Sequence, residues 1–339
     1  MIKDPLCREM VVNMKHYLGI DIGGTNISAG IVDESFTLLS KEKVKTLNER
    51  PYAEVLEDII SVAKSAVSSA GITLDEIESI GIGCPGTCNR ETGYVEYANN
   101  LHWENVPLAA DIEKALGKPC FFDNDANVAA YGEYLAGAAK GAKNAVVITL
   151  GTGVGAGIII NGEIYSGSNF AGAEIGHTVI VFNGAQCSCG RKGCFEAYSS
   201  ATGLIRMTKD AAQKNPASII RELAEADGKY SARTAFNAAK LHDETGVEVV
   251  DSYIKYLACG IANTINIFQP DILCIGGGVC NEGDNLLIPL KKLVAENIYS
   301  KNSTKNTEIV ICSLGNNAGI IGAAMLGKNK ESEGNSYAQ

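Results

Sequence analysis

The sequence predicts a two-lobed α/β protein, and three observations predict it. Its 339 residues suit about two domains at ~150 residues each. Apolar strand-like runs alternate with helical ones along the chain. A Gly-turned β-meander near the N-terminus returns close to the middle of the chain, as a duplicated unit would.

Residues 17–22 (YLGIDI) and 27–32 (ISAGIV) read as strands joined by Gly23-Gly24-Thr25-Asn26, with a third strand at 37–46. Beyond Pro51, which suits a first helical turn, Val55, Ile59, Ile60, Ala63 and Val67 recur at helical spacing up to Ala70. Strands follow at 77–83 and 119–123, separated by a short helix near 107–116, and 125–138 is helical. The meander pattern returns at 144–160 (NAVVITLGTGVGAGIII). There Gly151-Thr152-Gly153 aligns with Gly23-Gly24-Thr25, and Ala156-Gly157-Ile158 with Ala29-Gly30-Ile31 after one gap.

A helical insert spans 196–268; then come a strand at 271–275 running into Gly276-Gly277-Gly278, a helix at 285–298, a strand at 308–311 and a small-residue helix at 317–327. The expected organisation is an N-terminal extension (1–16), a smaller α/β lobe (17–135) on which the helix 317–327 packs back, and a larger α/β lobe (136–316). The larger lobe carries a loop at 174–196 and the helical insert, and 328–339 is expected to be a disordered tail.

Composition narrows the function classes. Apolar residues at 46% and charged residues at 20% describe a globular chain, not a disordered or fibrous one. With 29 Lys and Arg against 39 Asp and Glu, the net charge of −10 repels nucleic acid and anionic lipid. No apolar run reaches the roughly 20 residues of a membrane span, and the first sixteen residues lack an export signal, so the cytoplasm is expected. Eleven cysteines in scattered positions do not form a secreted disulfide framework; Cys84, Cys259 and Cys274 sit in apolar runs and are expected to serve as small core residues.

Four constellations carry chemistry. Three Gly-rich turns, Gly23-Gly24-Thr25-Asn26, Gly151-Thr152-Gly153 and Gly276-Gly277-Gly278, each follow an apolar strand and can bring backbone N–H groups against an anion. No Gly-Lys pair is followed by Ser or Thr, which excludes a P-loop, and Gly151-x-Gly153-x-x-Ala156 runs into a β-branched strand where a dinucleotide fingerprint would open a helix. His177 with Cys187, Cys189 and Cys194 forms a Cys₃His set suited to tetrahedral Zn²⁺; four protein ligands leave no open position, so the ion is expected to be structural. Glu174, His177 and Glu196 flank that clamp with acceptors for hydroxyl hydrogens, which points to a polyol. Finally, Asp123-Asn124-Asp125-Ala126-Asn127 joins a strand to a helix; one of these residues must cap the helix, and an Asp there can orient a hydroxyl for phosphoryl transfer.

These residues resemble the ROK family of sugar kinases and repressors, which have the actin-like ATPase fold, a duplicated ribonuclease H-like architecture. The matching pieces are Asp21-x-Gly23-Gly24-Thr25-Asn26, Pro85-Gly86, Asn124-Asp125-Ala126-Asn127, Leu150-Gly151-Thr152-Gly153-x-Gly155-x-Gly157, Glu174-x-Gly176-His177, Cys187-x-Cys189-Gly190-x-x-Gly193-Cys194-x-Glu196 and Gly276-Gly277-Gly278, in family order over about Tyr17–Gly327. The resemblance implies that Asp125 is the catalytic base, that Asn124, Glu174, His177 and Glu196 bind the sugar with Gly86 and Asn100 as further candidates, that Asp21 organises Mg²⁺ through water, and that the Gly-rich turns hold ATP.

Asn100-Leu101-His102-Trp103 and the spacing of the thiols resemble the ATP-dependent glucokinases of the family, which implies transfer of the γ-phosphoryl of ATP to the C6 hydroxyl of glucose. Kinases for N-acetylmannosamine, N-acetylglucosamine, allose or fructose share nearly the same polar residues. A sugar-sensing regulator is the alternative of another class; sixteen residues before the first strand are too few for a DNA-binding helix-turn-helix domain. Lobe closure on the sugar is expected to expel water, and a homodimer or homotetramer is expected from the resemblance.

Overall fold

The computed structural model describes residues 14–328. The expected extension up to residue 13 and the expected disordered tail from residue 329 lie outside the described residues. Lys328, which the sequence assigns to that tail, is tied down: its Nζ donates to the Glu34 carbonyl (2.6 Å) and stands 4.4 Å from the centre of the Phe36 ring.

Two compact units result. One comprises the described residues up to Gly141, Glu163–Gly172 and those from Ser313 onward; the other comprises Ala142–Gly162 and Ala173–Cys312.

The first unit runs β1 (His16–Ile22), β2 (Asn26–Asp33), β3 (Leu38–Lys45), α1 (Tyr52–Ser69), β4 (Ile77–Cys84), β5 (Thr87–Asn89), β6 (Tyr94–Ala98), β7 (Trp103–Val106), α2 (Leu108–Leu116), β8 (Cys120–Asn124) and α3 (Asp125–Ala136). Its main sheet has the order β3-β2-β1-β4-β8, with β1, β4 and β8 parallel. The central strand β1 is apolar on both faces, as a strand covered on both sides must be, and the edge strand β3 exposes Lys41, Lys43 and Lys45, which discourage pairing with another chain. Helix α1 buries Val55, Ile59, Val62, Ala63, Ala66 and Val67; Ile60, expected on that face, is only partly buried.

The second unit runs β9 (Ala145–Leu150), β10 (Val154–Ile160), β11 (Glu163–Ile164), α4 (Phe195–Ser199), α5 (Ala201–Lys214), α6 (Ile220–Ala226), α7 (Ala232–Lys240), α8 (Glu244–Phe268), β12 (Ile272–Gly276), α9 (Asp284–Asn297) and β13 (Glu308–Ile311), although β11 falls within the segment that clusters with the first unit. Its sheet order, β11-β10-β9-β12-β13, repeats that of the first sheet position by position. The registers repeat as well: Ile20 pairs with Ala29 and Leu18 with Ile31, while Ile148 pairs with Ala156 and Val146 with Ile158. The single gap of the sequence alignment lies in the turns, because Ile22 faces Ile27 across four residues and Leu150 faces Val154 across three. Helix α8 lays Val249, Tyr253, Leu257, Ile261 and Ile265 into the core. Cys259 falls outside that stripe and is exposed, contrary to its expected core position, whereas Cys84 and Cys274 are buried. Among the described residues no helix is long and apolar enough to cross a membrane.

A last helix, α10 (Ala318–Ala324), returns to the first unit and packs on β1, β4 and α3. Small residues allow backbone to meet backbone here. A Cβ on Gly81 would overlap the Ala323 carbonyl, one on Gly132 the Ala318 carbonyl and one on Gly322 the Val128 carbonyl. The buried carboxylate of Glu133 fixes the approach to this helix by accepting from the N–H groups of Ala138 (2.8 Å), Ser313 (3.1 Å) and Leu314 (2.8 Å). Gly81→Ala is therefore expected to cost about 2 kcal/mol or more, since neither main chain can yield cheaply; calorimetry should show a lowered Tm, and an unchanged Tm would contradict this packing.

Candidate active site

Loop 174–196 is shaped by its own hydrogen bonds. Cys187 N donates to Arg191 O (2.9 Å), Gly190 N to Cys187 O (3.1 Å), Ile180 N to Gly193 O (2.9 Å) and Phe195 N to Thr178 O (2.8 Å). The curl brings one donor atom each from His177, Cys187, Cys189 and Cys194 within 4.8 Å of one another. Cys189 Sγ lies 3.7 Å from Cys194 Sγ, and Cys187 Sγ 3.7 Å from His177 Nδ1. Thiolates bound tetrahedrally at ~2.3 Å from a cation stand about 3.8 Å apart, so this spacing fits a divalent ion, whereas a disulfide needs ~2.05 Å. Electrostatics agree. Burial and the adjacent thiols push Cys194 up to about 12 and burial raises Cys187, while the Arg191 N–H holds Cys189 below the usual thiol range. A cation at the centre relieves this crowding by favouring the thiolates. With Nδ1 turned toward the thiols, Nε2 of His177 is left for another partner.

Glu196, in the first turn of α4, ties this loop to the second Gly-rich turn. Its Oε1 accepts from Ser188 Oγ (2.8 Å) and its Oε2 from Val154 N (3.0 Å). A Cβ on Gly153 would overlap that Oε2, so close approach of the carboxylate is what requires glycine there. Helix α4 is itself seated on α8: Phe195 is buried over Gly260, and Tyr253 Oη donates to Ser199 O (2.8 Å). Glu174 precedes the short Ile175–His177 turn and keeps solvent access. Partial desolvation raises its carboxyl above the usual glutamate range; His177 opposes the shift and Glu196 adds to it.

In the first unit, Asn124 is the residue that caps α3: its Oδ1 accepts from Ala126 N (2.9 Å) and Asn127 N (3.4 Å), and its Nδ2 donates to Gly86 O (3.1 Å). The cap brings Gly86 and Asn124 together and relieves Asp125 of capping. Asp125 opens the helix, half-buried, its Oδ1 accepting from Ala126 N (2.9 Å), where the helix N-terminus favours a negative charge.

The first Gly-rich turn is held from the end of β3: Thr46 Oγ1 donates to Gly23 O (2.6 Å) and Thr46 N to Thr25 O (3.0 Å). Asn100 stands beside Gly24, and Asn48 Nδ2 donates to its carbonyl (2.7 Å). Thr25 and Asn26 remain exposed. In the second unit, Gly277 (φ +94°) sits so close to the end of β9 that a Cβ would overlap the Leu150 carbonyl, which places the turns 151–153 and 276–278 side by side. Gly151 and Gly278 have open space where a Cβ would stand, leaving their backbones accessible to an anion. Thr202 Oγ1 supports the former turn by donating to Thr152 O (2.8 Å).

Asp21, at the end of β1, is raised to about 6 by burial, partly offset by Lys41. Such a carboxylate fits a hydrated Mg²⁺, whose charge would offset the cost of desolvation.

The predicted residues thus divide between the units. Asp21, Gly23–Asn26, Gly86, Asn100, Asn124 and Asp125 belong to the first, and Gly151–Gly153, Glu174, His177, the three thiols, Glu196 and Gly276–Gly278 to the second. Sequence reading gives no role to Thr46, Asn48 or Arg90, because their partners are distant in sequence and no motif marks them, nor to Ser188, whose partner Glu196 is reached only through the curl of the loop.

The model of the ROK family matches residues 17–330. The chain belongs to the ROK family. It is 37% identical to a glucokinase of Halalkalibacterium halodurans over 316 residues, covering 93% of this chain and 96% of the relative, and 36% identical to a glucokinase of Thermotoga maritima over 315 residues, covering 92% and 97%. A crystal structure of a ROK family glucokinase from Streptomyces griseus in complex with glucose and AMPPNP matches with a TM-score of 0.76 at 34% identity, covering 94% of this chain and 100% of that one. The paired sheets of equal order are accordingly the duplicated core of the actin-like ATPase fold, and the second unit carries the cluster of His177, Cys187, Cys189 and Cys194.

In this ROK protein Gly153→Ala is expected to displace the Glu196 carboxylate from Val154 N–H and lower stability by about 1–3 kcal/mol, measured by thermal denaturation. Full stability with Glu196 undisturbed in a crystal structure of the variant would refute the close-approach argument.

Proposed function

We propose that this protein is an ATP-dependent glucose kinase, transferring the γ-phosphoryl of ATP to the C6 hydroxyl of glucose to give glucose 6-phosphate and ADP. The observation that carries this reading is identity of 34–37% to glucokinases over more than nine-tenths of the chain, one of them a complex with glucose and an ATP analogue. Asp125 accepts the proton of the attacking hydroxyl and aims its oxygen at phosphorus; in a loose transition state the proton leaves late, so the carboxylate acts mainly by orienting the nucleophile. Asn124, Glu174, His177 through Nε2 and Glu196 bind the sugar hydroxyls, with Gly86 and Asn100 adding contacts. Glu196 accepts with the lone pairs left by Ser188 and Val154. Main-chain N–H groups of the three Gly-rich turns hold the triphosphate.

Asp21 would hold Mg²⁺, which would supply charge neutralisation of the phosphates. His177, Cys187, Cys189 and Cys194 would hold Zn²⁺, the ion that their donors suit; with four protein ligands it would order the loop and take no part in bond making. The resemblance carries with it a homodimer or homotetramer and a cytoplasmic location.

Coupled assays with ATP across glucose, mannose, N-acetylmannosamine, N-acetylglucosamine, fructose and allose test the reading: glucose should give the highest kcat/KM, and a different preferred hexose would overturn the glucose assignment. Asp125→Asn is expected to lower kcat by at least ~10²-fold with little change in sugar affinity; near-normal turnover would remove Asp125 as the base. Elemental analysis should find about one zinc per chain, with Cys189→Ser losing metal and glucose affinity together. A metal-free preparation with full activity would remove the clamp from the account.

A further inference from the structure

We propose that Arg90 and Asp123 form a positioning pair that fixes the Asn124-Asp125 turn in its working geometry, with Phe170 covering the arginine. The inference rests on the reading of Asp125 as the base.

Asp123 ends β8 and is buried, with 1% of its surface exposed. Its carboxylate grips the chain on both sides of Asp125: Oδ1 accepts from Asn124 N (2.7 Å) and from Asn127 Nδ2 (3.0 Å). Its Oδ2 faces Arg90 Nη1 at 3.1 Å. A buried anion two residues from a second carboxylate needs a counter-charge, both to offset its desolvation and to limit repulsion between the two. Arg90 supplies it.

The arginine is presented by a stiff turn between β5 and β6, in which Asn89 Oδ1 accepts from Glu91 N (3.0 Å) and Thr92 N (3.1 Å) and Gly93 N donates to Asn89 O (2.9 Å). On its open side the guanidinium carbon lies 5.9 Å from the centre of the Phe170 ring. Phe170 adopts φ +60°, a left-handed conformation costly for a bulky residue, and the bond from Gly172 N to Ser166 O (2.8 Å) closes the turn that keeps it there. Segments 89–93, 123–127 and 166–172, distant in sequence and all in the first unit, thus meet at one guanidinium. A planar fork satisfies both the carboxylate and the ring face; an ammonium restores the charge but not the stacking.

The test is steady-state kinetics of Arg90→Met, Arg90→Lys and Phe170→Leu beside the wild type and Asp125→Asn. A shift of the base by a fraction of an ångström is costly to turnover and nearly invisible to binding. Arg90→Met should therefore lose about 10-fold or more in kcat at a glucose KM within about twofold of wild type, and Arg90→Lys should recover most of that loss. A kcat of Arg90→Met within about twofold of wild type, or a loss matched by an equal rise in KM with no recovery in Arg90→Lys, overturns the pair. Should Arg90→Met not fold, Phe170→Leu decides: a kcat reduced about three- to tenfold at unchanged KM supports the proposal, and full kcat overturns it. An inactive wild type or a fully active Asp125→Asn would sink the reading of Asp125 itself. An active wild type with an inactive Asp125→Asn and an unimpaired Arg90→Met sinks the pair alone.

Discussion

Glu196 ties the Gly151–Gly153 turn to the thiol loop of the second unit through its bonds to Val154 N–H and Ser188 Oγ, and the bonds from Ala201 N to Gly151 O and from Thr202 Oγ1 to Thr152 O hold the same turn from the helix that follows. One carboxylate holds both. The constraint propagates outward: Gly153 must lack a side chain so that the carboxylate can approach, and α4 must be seated on α8 through Phe195 and Ser199 so that Glu196 is presented at all. The cluster of His177, Cys187, Cys189 and Cys194 then closes a loop that has almost no regular secondary structure to stiffen it. Side-chain convergence does here what a sheet does elsewhere.

The first unit solves a different problem, that of presenting a carboxylate at a helix start without consuming it. Division of labour among adjacent residues is the solution. Asn124 takes the cap and Asp123 takes the ion pair and the N–H of Asn124, so that Asp125 stands at the first helical position in the favourable field of the helix terminus. Three polar residues in a row would be a liability in a buried strand end; each is accounted for by a distinct set of partners.

Legibility in the sequence followed the range of the interactions. Elements set by periodicity were readable: β1, β2 and α1 lie where their apolar spacing puts them, and the two meanders align because duplicated strands keep their registers. The Cys₃His cluster was readable because its spacing is local. The three-stranded sheet β5-β6-β7 was not, since strands of three to five residues are too short to display an alternation. Cys259 misled because an apolar neighbourhood in sequence does not say which face of a helix a residue occupies. Arg90 and Thr46 were silent for the opposite reason: their partners, Asp123 and Gly23, are reached only through tertiary packing.

The seating of α10 bears on how the polypeptide is made. Its carbonyls fill the space left by Gly81 and Gly132, yet Ala318–Ala324 are translated after every residue of the second unit. A ribosome therefore releases the complete second unit while the first, begun earlier, still lacks the helix that covers β1 and β4. Vectorial synthesis usually favours the N-terminal module; here the order of completion is reversed, and the nascent sheet β3-β2-β1-β4-β8 waits with that apolar face covered by α3 alone until α10 emerges from the exit tunnel.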